Sequence, residues 1–386
     1  MIGCMEFVVS RDPRLPIHYL FPSRSRKTQP DPVIGRATSY HFWARNALFH
    51  GLGSLGLNPG DTVLVPAFHC STVVEPIRHY GCEVIFYNVH RDGVVDFEDL
   101  ARKVDSQVKA VVAIHYFGVL QPLQKIREFC HHHHLFFIED CAHLFMGESR
   151  EGPIGSVGDI SIFSWRKFLP IYDGGMLVCN HAQYQRAVPW QGLSGWFQVK
   201  IVKNLLEKCL SDRATPRLSI GPNQRTEFPV QGAVSHDGVG EPFHVNTHVP
   251  EFDASQLNWP MSRWSRYITE HIDVSKIMRK RQEHSSILSQ ALGELPGIRP
   301  WSKAGEHRVC AWAFPIVVEH RTDLHVELRK RGIQAFSWSG VIHPTLDLAA
   351  FSDAKFLYEH VVLLPNHQSL TQSELHFMID TVKGVL

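Results

Sequence analysis

Residues 110–143 read AVVAIHYFGVLQPLQKIREFCHHHHLFFIEDCAH. A β-rich run, Ala110–Tyr116, precedes a stretch at helical spacing over 121–134, and a second run, Leu135–Glu139, follows. A strand, a helix and another strand in this order make a crossover unit, whose strands run parallel. The same rhythm extends in both directions. Thr62–Pro66 and Glu83–Val89 precede it, with helices predicted at 72–80 and 96–104, and Ile160–Trp165 and Met176–Cys179 follow. Such alternation predicts an α/β protein with a mostly parallel central sheet covered by helices on both faces.

Outside this core the pattern changes. Residues 1–37 hold five prolines and no clear period, and read as an irregular lead-in. Apolar residues from Tyr40 to Leu57 recur at helical spacing. From 190 to about 260, Gly, Pro, Asn and Gln predominate, and so long an irregular stretch is often functional. Periodicity returns at Met261 as a long helix to Leu292. Strands are predicted at Cys310–Val318 and Ile333–Trp338, around a helix at 323–331, before a closing helix at 372–384. The expected division is a lead-in over 1–37, a large domain over 38–260 and a smaller α+β domain over 261–386.

Bulk composition excludes several classes. The 386 residues carry 39 Lys+Arg against 38 Asp+Glu, so no global field favours nucleic acid or an anionic membrane. No apolar run reaches the ~20 residues of a membrane helix, and the first residues do not read as a signal peptide. Eight scattered cysteines without a C-x-x-C pair fit a reduced, cytoplasmic protein. Histidine is in excess at 25. The run His131–His134 cannot converge on one ion, because consecutive helical residues point about 100° apart. It reads as a solvated helix end, and no functional metal site is expected. Gly51, Gly53 and Gly56 spell G-x-G-x-x-G, but this fingerprint needs a strand before it. Here it ends a helical stretch, so helix packing and termination are the better reading.

In doubly wound sheets, ligands bind beyond the carboxyl ends of the strands. Those ends carry His69-Cys70-Ser71-Thr72, His115-Tyr116, Asp140-Cys141-Ala142-His143 and Ser164-Trp165-Arg166-Lys167. A carboxylate and an amine here have two readings. One is a salt bridge at the sheet edge. The other is a cofactor site, since a partly desolvated lysine loses its proton readily and can form a Schiff base. A buried aspartate can hold a protonated pyridine nitrogen, and hydroxyls with backbone amides can hold a phosphate. Pyridoxal phosphate makes those demands.

Six segments then fall in order: Asn58–Phe68 (NPGDTVLVPAF), Gly81–Val84 (GCEV), Ile138–His143 (IEDCAH), Gly155–Ser164 (GSVGDISIFS), Asp173–Gly175 (DGG) and Leu364–Leu370 (LPNHQSL). Together they resemble the DegT/StrS-type sugar aminotransferases, which are fold-type I pyridoxal-phosphate enzymes with an aspartate-aminotransferase-like fold. The resemblance implies that Lys167 forms the Schiff base, Asp140 pairs with the pyridinium nitrogen, His143 meets the phenolic oxygen and Ser164 binds phosphate. It implies that Asn258, in Asn258-Trp-Pro-Met-Ser, reaches the phosphate of a neighbouring subunit, so that a homodimer shares its active sites.

Several positions depart from the family pattern. Ala44-Arg45-Asn46 replaces a Gly-Thr-type turn, where Arg45 and Asn46 are expected at the cofactor phosphate. Cys70, with His69 beside it, takes the place of an aromatic ring stacked on the cofactor. The Ser164–Lys167 spacing is short, and Pro260 replaces an arginine. His115 is expected at the substrate. The implied reaction moves an amino group from an amino acid, glutamate by family analogy, to a nucleotide-linked ketosugar in polysaccharide or natural-product biosynthesis. A lysine at 167 argues against the dehydratase branch, which has histidine there. Two alternatives stand beside it: a pyridoxal-phosphate enzyme acting on an amino acid or natural-product intermediate, and a non-catalytic relative.

Overall fold

A computed structural model describes residues 8–20, 37–210, 252–301, 308–338 and 342–386. The expected rhythm is present. In chain order it comprises β1 (Ala37–His41), α1 (Ala44–Leu55), β2 (Thr62–Pro66), α2 (Ser71–Tyr80), β3 (Glu83–Tyr87), α3 (Phe97–Arg102), β4 (Val108–Ile114), α4 (Leu123–His132) and β5 (Phe136–Asp140). Then come β6 (Leu144–Ser149), β7 (Gly152–Pro153), β8 (Ile160–Ser164), β9 (Gly175–Cys179) and α5 (Gly195–Leu210). After residue 252 follow α6 (Arg263–His271), α7 (Val274–Leu292), β10 (Ile298–Pro300), β11 (Arg308–Ala311), β12 (Ala313–Val318), α8 (Leu324–Lys330), α9 (Ser352–His360), β13 (Val361–Pro365) and α10 (Gln372–Val385).

The central sheet has seven strands in the order β1-β9-β8-β5-β4-β2-β3. The run from β8 to β3 is parallel, while β9 and β1 add antiparallel at one edge. Every residue of β2, β8 and β9 is buried, as strands covered on both faces must be. Because β2, β4, β5 and β8 are parallel, the residues after Pro66, Ile114, Asp140 and Ser164 collect along one edge. A second sheet, β10-β12-β13, and a third, β11-β6-β7, are antiparallel. In the third, β11 pairs with β6, so the carboxyl-terminal half is stitched to the chain just past Asp140.

Some expectations change. Tyr40 and His41 are strand, because β1 pairs with β9 in the register His41↔Gly175, and α1 starts only at Ala44. Met261–Leu292 is two helices. Asp273 interrupts it, its carboxylate accepting from the Lys276 amide at 2.9 Å to cap α7. Cys310–Val318 divides at Trp312 into strands of two different sheets. Ile333–Trp338 forms only isolated bridges, Ile333 to Val9 and Phe336 to Leu363. Helix α5 lies within the stretch read as irregular, buries Ile201, Leu205 and Cys209, and was legible from that spacing. The rest of that stretch, 211–251, and residues 1–7 and 21–36 of the lead-in lie outside the described residues.

The glycine motif acts in packing. A Cβ on Gly51 would sit 2.5 Å from Ile160 Cδ1, so its absence lets α1 lie on the sheet, and Gly56 ends the helix at φ 79°. The histidine run ends α4, with His134 at φ 56° just past the cap. Among the described residues no helix is long and apolar enough to cross a membrane.

Candidate active site

Strand β8 delivers Ser164 and the turn after it delivers Lys167. The lysine amine forms no hydrogen bond or ion pair among the described residues; it rests against the Trp312 indole, 4.6 Å from the ring centroid. Burial lowers its pKa to about 8, and the neighbouring Cys70 and Asp140 only partly offset that. Asp140 ends β5. Its Oδ1 accepts from the Ala142 amide at 2.8 Å, and burial raises its pKa against the pull of that amide, Lys167 and His115. The Asp140–Ala142 turn brings His143 to the same place.

His143 is buried in an aromatic stack. Its ring lies parallel to Phe117 at 4.3 Å, faces Trp312 at 5.4 Å and meets Trp338 edge-on at 4.7 Å. Its Nδ1 is buried without a partner among the described residues, and burial followed by the charge of Lys167 drives its pKa well below that of free imidazole. Phe117 achieves this stacking with φ at 47°, a left-handed backbone that costs roughly 1–2 kcal/mol in a non-glycine residue. Such strain concentrates at functional sites.

At the other end, Trp43 precedes α1 and takes no side-chain cap, leaving helix-terminal amides to point outward. Gly175, paired with Ser164, permits this approach: a Cβ there would fall 2.2 Å from the Trp43 carbonyl carbon. Ser164 thus lies beside the start of α1, and its hydroxyl makes no hydrogen bond among the described residues. The Arg45 guanidinium lies 5.9 Å from the centroid of the Trp43 ring, and burial lowers its pKa to about 10. Cys70 caps α2 near Lys167, with the Thr72 hydroxyl donating to its sulfur at 3.1 Å.

Lys167, Asp140, His143, Cys70 and Ser164 are therefore gathered at one edge. Two expected residues turn their side chains elsewhere. His69 is wholly buried, stacked on Phe86 at 4.9 Å, with Nδ1 facing the carbonyls of Pro66 and Ala67. It is a core histidine, as burial depressing its pKa to about 3 also indicates. His115, expected at the substrate, has both nitrogens committed: Nδ1 accepts from the Gln121 amide at 3.1 Å, so Nε2 carries hydrogen and donates to Glu139 at 3.1 Å. It supports Asp140 from behind, its own amide donating to the Asp140 carbonyl at 3.1 Å. Glu139 also takes amides from Gly155, Val157 and Gly158. Although His115, Glu139 and Cys141 place ligand atoms within 4.8 Å of one another, those atoms are already engaged in this network.

Asn46 turns to the Gln256 carbonyl at 2.7 Å. Asn258 has its Oδ1 buried without a partner and lies near His50. Sequence reasoning missed Trp312, Trp338 and Phe117, which reach the site through tertiary packing, and Arg166 and Arg11. Adjacency to Lys167 was the one signal for Arg166.

Comparison with known proteins gives the same direction. The chain is 34% identical to the GDP-perosamine synthase of Vibrio cholerae over 137 residues, covering 35% of this chain and 37% of that one. It is 29% identical to a UDP-N-acetyl-3-dehydro-alpha-D-glucosamine 3-aminotransferase of Acidithiobacillus ferrooxidans, covering 36% and 39%. The chain thus spans little more than a third of the length of these curated relatives. A Helicobacter pylori aminotransferase involved in pseudoaminic acid biosynthesis superposes with a TM-score of 0.68 at 16% identity over 98% of both chains. A putative sugar aminotransferase of Streptococcus pneumoniae, solved in its PLP form, does so equally. These likenesses show the fold alone, an α/β architecture that this chain shares with both proteins over nearly its full length. The segment bearing Arg45, Cys70, Asp140, His143, Ser164 and Lys167, residues 44–195, matches the model of the DegT/DnrJ/EryC1/StrS aminotransferase family.

Proposed function

We propose that this protein is a pyridoxal-phosphate-dependent aminotransferase that passes an amino group from an amino acid, glutamate first, to a nucleotide-linked ketosugar. The observation that carries this reading is the pairing of an uncommitted, depressed-pKa Lys167 with the buried Asp140 beyond the carboxyl ends of β8 and β5.

The residues present fit the cofactor. Lys167 has no competing partner among the described residues, His143 has a buried unsatisfied nitrogen, and Ser164 lies beside outward-pointing amides at the start of α1. Asp140 would hold the ring nitrogen, Lys167 the aldehyde carbon, and Ser164 with Arg45 the phosphate. When bound, pyridoxal phosphate supplies an electron sink that acidifies the donor's α-carbon. Asp140 then keeps a proton on the ring nitrogen. With its pKa lowered to about 8, Lys167 Nζ is neutral near pH 7 in a far larger share of molecules than a free lysine, so it can take the α-proton and return it one carbon away. The Phe117–His143–Trp312 stack walls the site with rings and excludes water from that transfer.

A shared-site homodimer is part of this reading. Helix α5 leaves Trp196 80% exposed and Val199 57% exposed, an apolar face suited to a second copy. The seven described cysteines are all unpaired, which suits a reducing cytoplasm. The test is spectroscopic. Purified protein should show a visible cofactor band that borohydride traps on Lys167; glutamate should bleach it, and one member of a ketosugar-nucleotide panel should restore it. A preparation reconstituted with cofactor that neither binds it at Lys167 nor responds to any amino donor would sink the proposal.

A further inference from the structure

Arg166, immediately before Lys167, is held in an unusual way. Its guanidinium lies 4.8 Å from the centroid of the Trp43 indole, and among the described residues it makes no hydrogen bond or ion pair. Yet an arginine has five N–H donors in a planar fork, suited to bidentate contact with an oxyanion. Its surroundings are crowded with positive charge. Arg11, Arg45 and Lys167 all act electrostatically with it, and Arg45 faces the same indole. The negative groups that reach it, Asp12 and Asp173, are not within ion-pair distance. Asp12 leans on Arg11 at 3.5 Å, and Asp173 Oδ1 accepts from the Ser262 amide at 2.9 Å while Oδ2 is buried without a partner.

Arg11 arrives by a separate route. Val9 bridges Ile333, the Arg11 amide donates to Gln334 Oε1 at 3.0 Å, and its guanidinium lies over Phe336 at 5.5 Å. The amino-terminal arm is thereby fastened to the carboxyl-terminal half, close enough for Arg11 to act electrostatically on Arg166 and Lys167. Two arginines brought near each other by separate parts of the chain, one with no acceptor among the described residues, form an arrangement that costs free energy unless a ligand brings negative charge.

Building on the proposed transamination, we infer that Arg166, with Arg11 near it, forms an oxyanion subsite beside Lys167 that receives a substrate carboxylate or phosphate. The carboxylate would be the amino donor's and the phosphate the nucleotide-linked acceptor's; the chemistry recognised is the same.

The experiment compares cofactor-loaded wild type, R166M and R166K. In R166M the glutamate concentration that half-saturates bleaching of the cofactor band should rise about tenfold to a hundredfold, the loss expected for hydrogen bonds to a charged group. An amine donor without a carboxylate, such as benzylamine, should be unaffected, and R166K should recover part of the loss. If the acceptor's phosphate is the ligand, glutamate is unchanged and the KM for the ketosugar nucleotide rises by that factor instead. Unchanged saturation for both substrates overturns the proposal, as does a variant that loses only cofactor affinity, which would assign Arg166 to the cofactor phosphate. Should wild type show no donor response at all, the aminotransferase reading fails by itself. The subsite is then judged by the thermal shift that glutarate or inorganic phosphate gives wild type but not R166M; equal shifts overturn it.

Discussion

The Lys167 ammonium lies 4.6 Å from the centre of the Trp312 indole and, among the described residues, has no carboxylate bonded to it. An aromatic face favours the charged amine only modestly, by ~0.5–2 kcal/mol, whereas burial works against it. Burial is the larger influence, and the pKa falls to about 8. In the unfolded chain the lysine is protonated to about pH 10, so the folded state releases its proton first. Stability from this group therefore increases as pH rises from about 8 towards 10, and the free amine appears about two pH units early. Cofactor-free protein treated with an amine-selective acylating reagent should modify Lys167 with a midpoint near pH 8. Peptide mass spectrometry reads this directly, and a midpoint near pH 10 would contradict the burial argument.

Asp140 is held by one backbone amide and raised by burial, yet the proposed chemistry needs it ionised. A cationic ring nitrogen would supply the missing charge and pull the carboxyl down. Asp140→Asn preserves the shape and removes the charge. We expect a fall in turnover on the order of a hundredfold or more, with Lys167 still trapped by borohydride. Equal turnover in the variant would remove Asp140 from the mechanism.

Glu139, beneath the site, behaves in the opposite way. Burial pushes its pKa up, but the His115 hydrogen bond and the glycine amides outweigh it, and the net shift is downward. A carboxylate depressed on folding contributes stability above its unfolded pKa, and that stability is lost as pH falls through the folded value. Glu139→Gln places an NH2 among amide donors and leaves one of them unmet. Unfolding by denaturant should show a loss of about 3–5 kcal/mol. In the wild type, stability should decline as pH drops below about 4.5.

Much of this was legible in the sequence. Strand–helix alternation pointed to the parallel core because those strands are buried on both faces and need no distant partner to reveal them. The strand-end rule then put Asp140, His143, Ser164 and Lys167 at the carboxyl edge of the sheet, where the structure also has them. It put His69 and His115 there too, but a strand end specifies an address and not the direction of a side chain. His69 turns back toward Phe86, and His115 toward Glu139. Trp312 and Arg11 were invisible for another reason: they arrive from 145 residues later and 156 residues earlier than Lys167, through β11 on β6 and Val9 on Ile333. No local pattern records such pairings.

Two glycines separate backbone strain from crowding. Gly56 has φ at 79° with nothing within 4 Å of where a Cβ would sit, whereas Gly175 would press a Cβ into the Trp43 backbone at 2.2 Å. Gly56→Ala should cost only the left-handed penalty, about 1–2 kcal/mol, and leave cofactor binding intact. Gly175→Ala cannot be relieved by a side-chain rotation, since the atoms it meets are main chain. It must move the start of α1 away from Ser164 and loosen the proposed phosphate cup. We therefore expect Gly175→Ala to lose a further ~1–3 kcal/mol in unfolding experiments and, unlike Gly56→Ala, to weaken pyridoxal-phosphate affinity measured by fluorescence titration. If both variants bind the cofactor as the wild type does, the phosphate is not held at the start of α1.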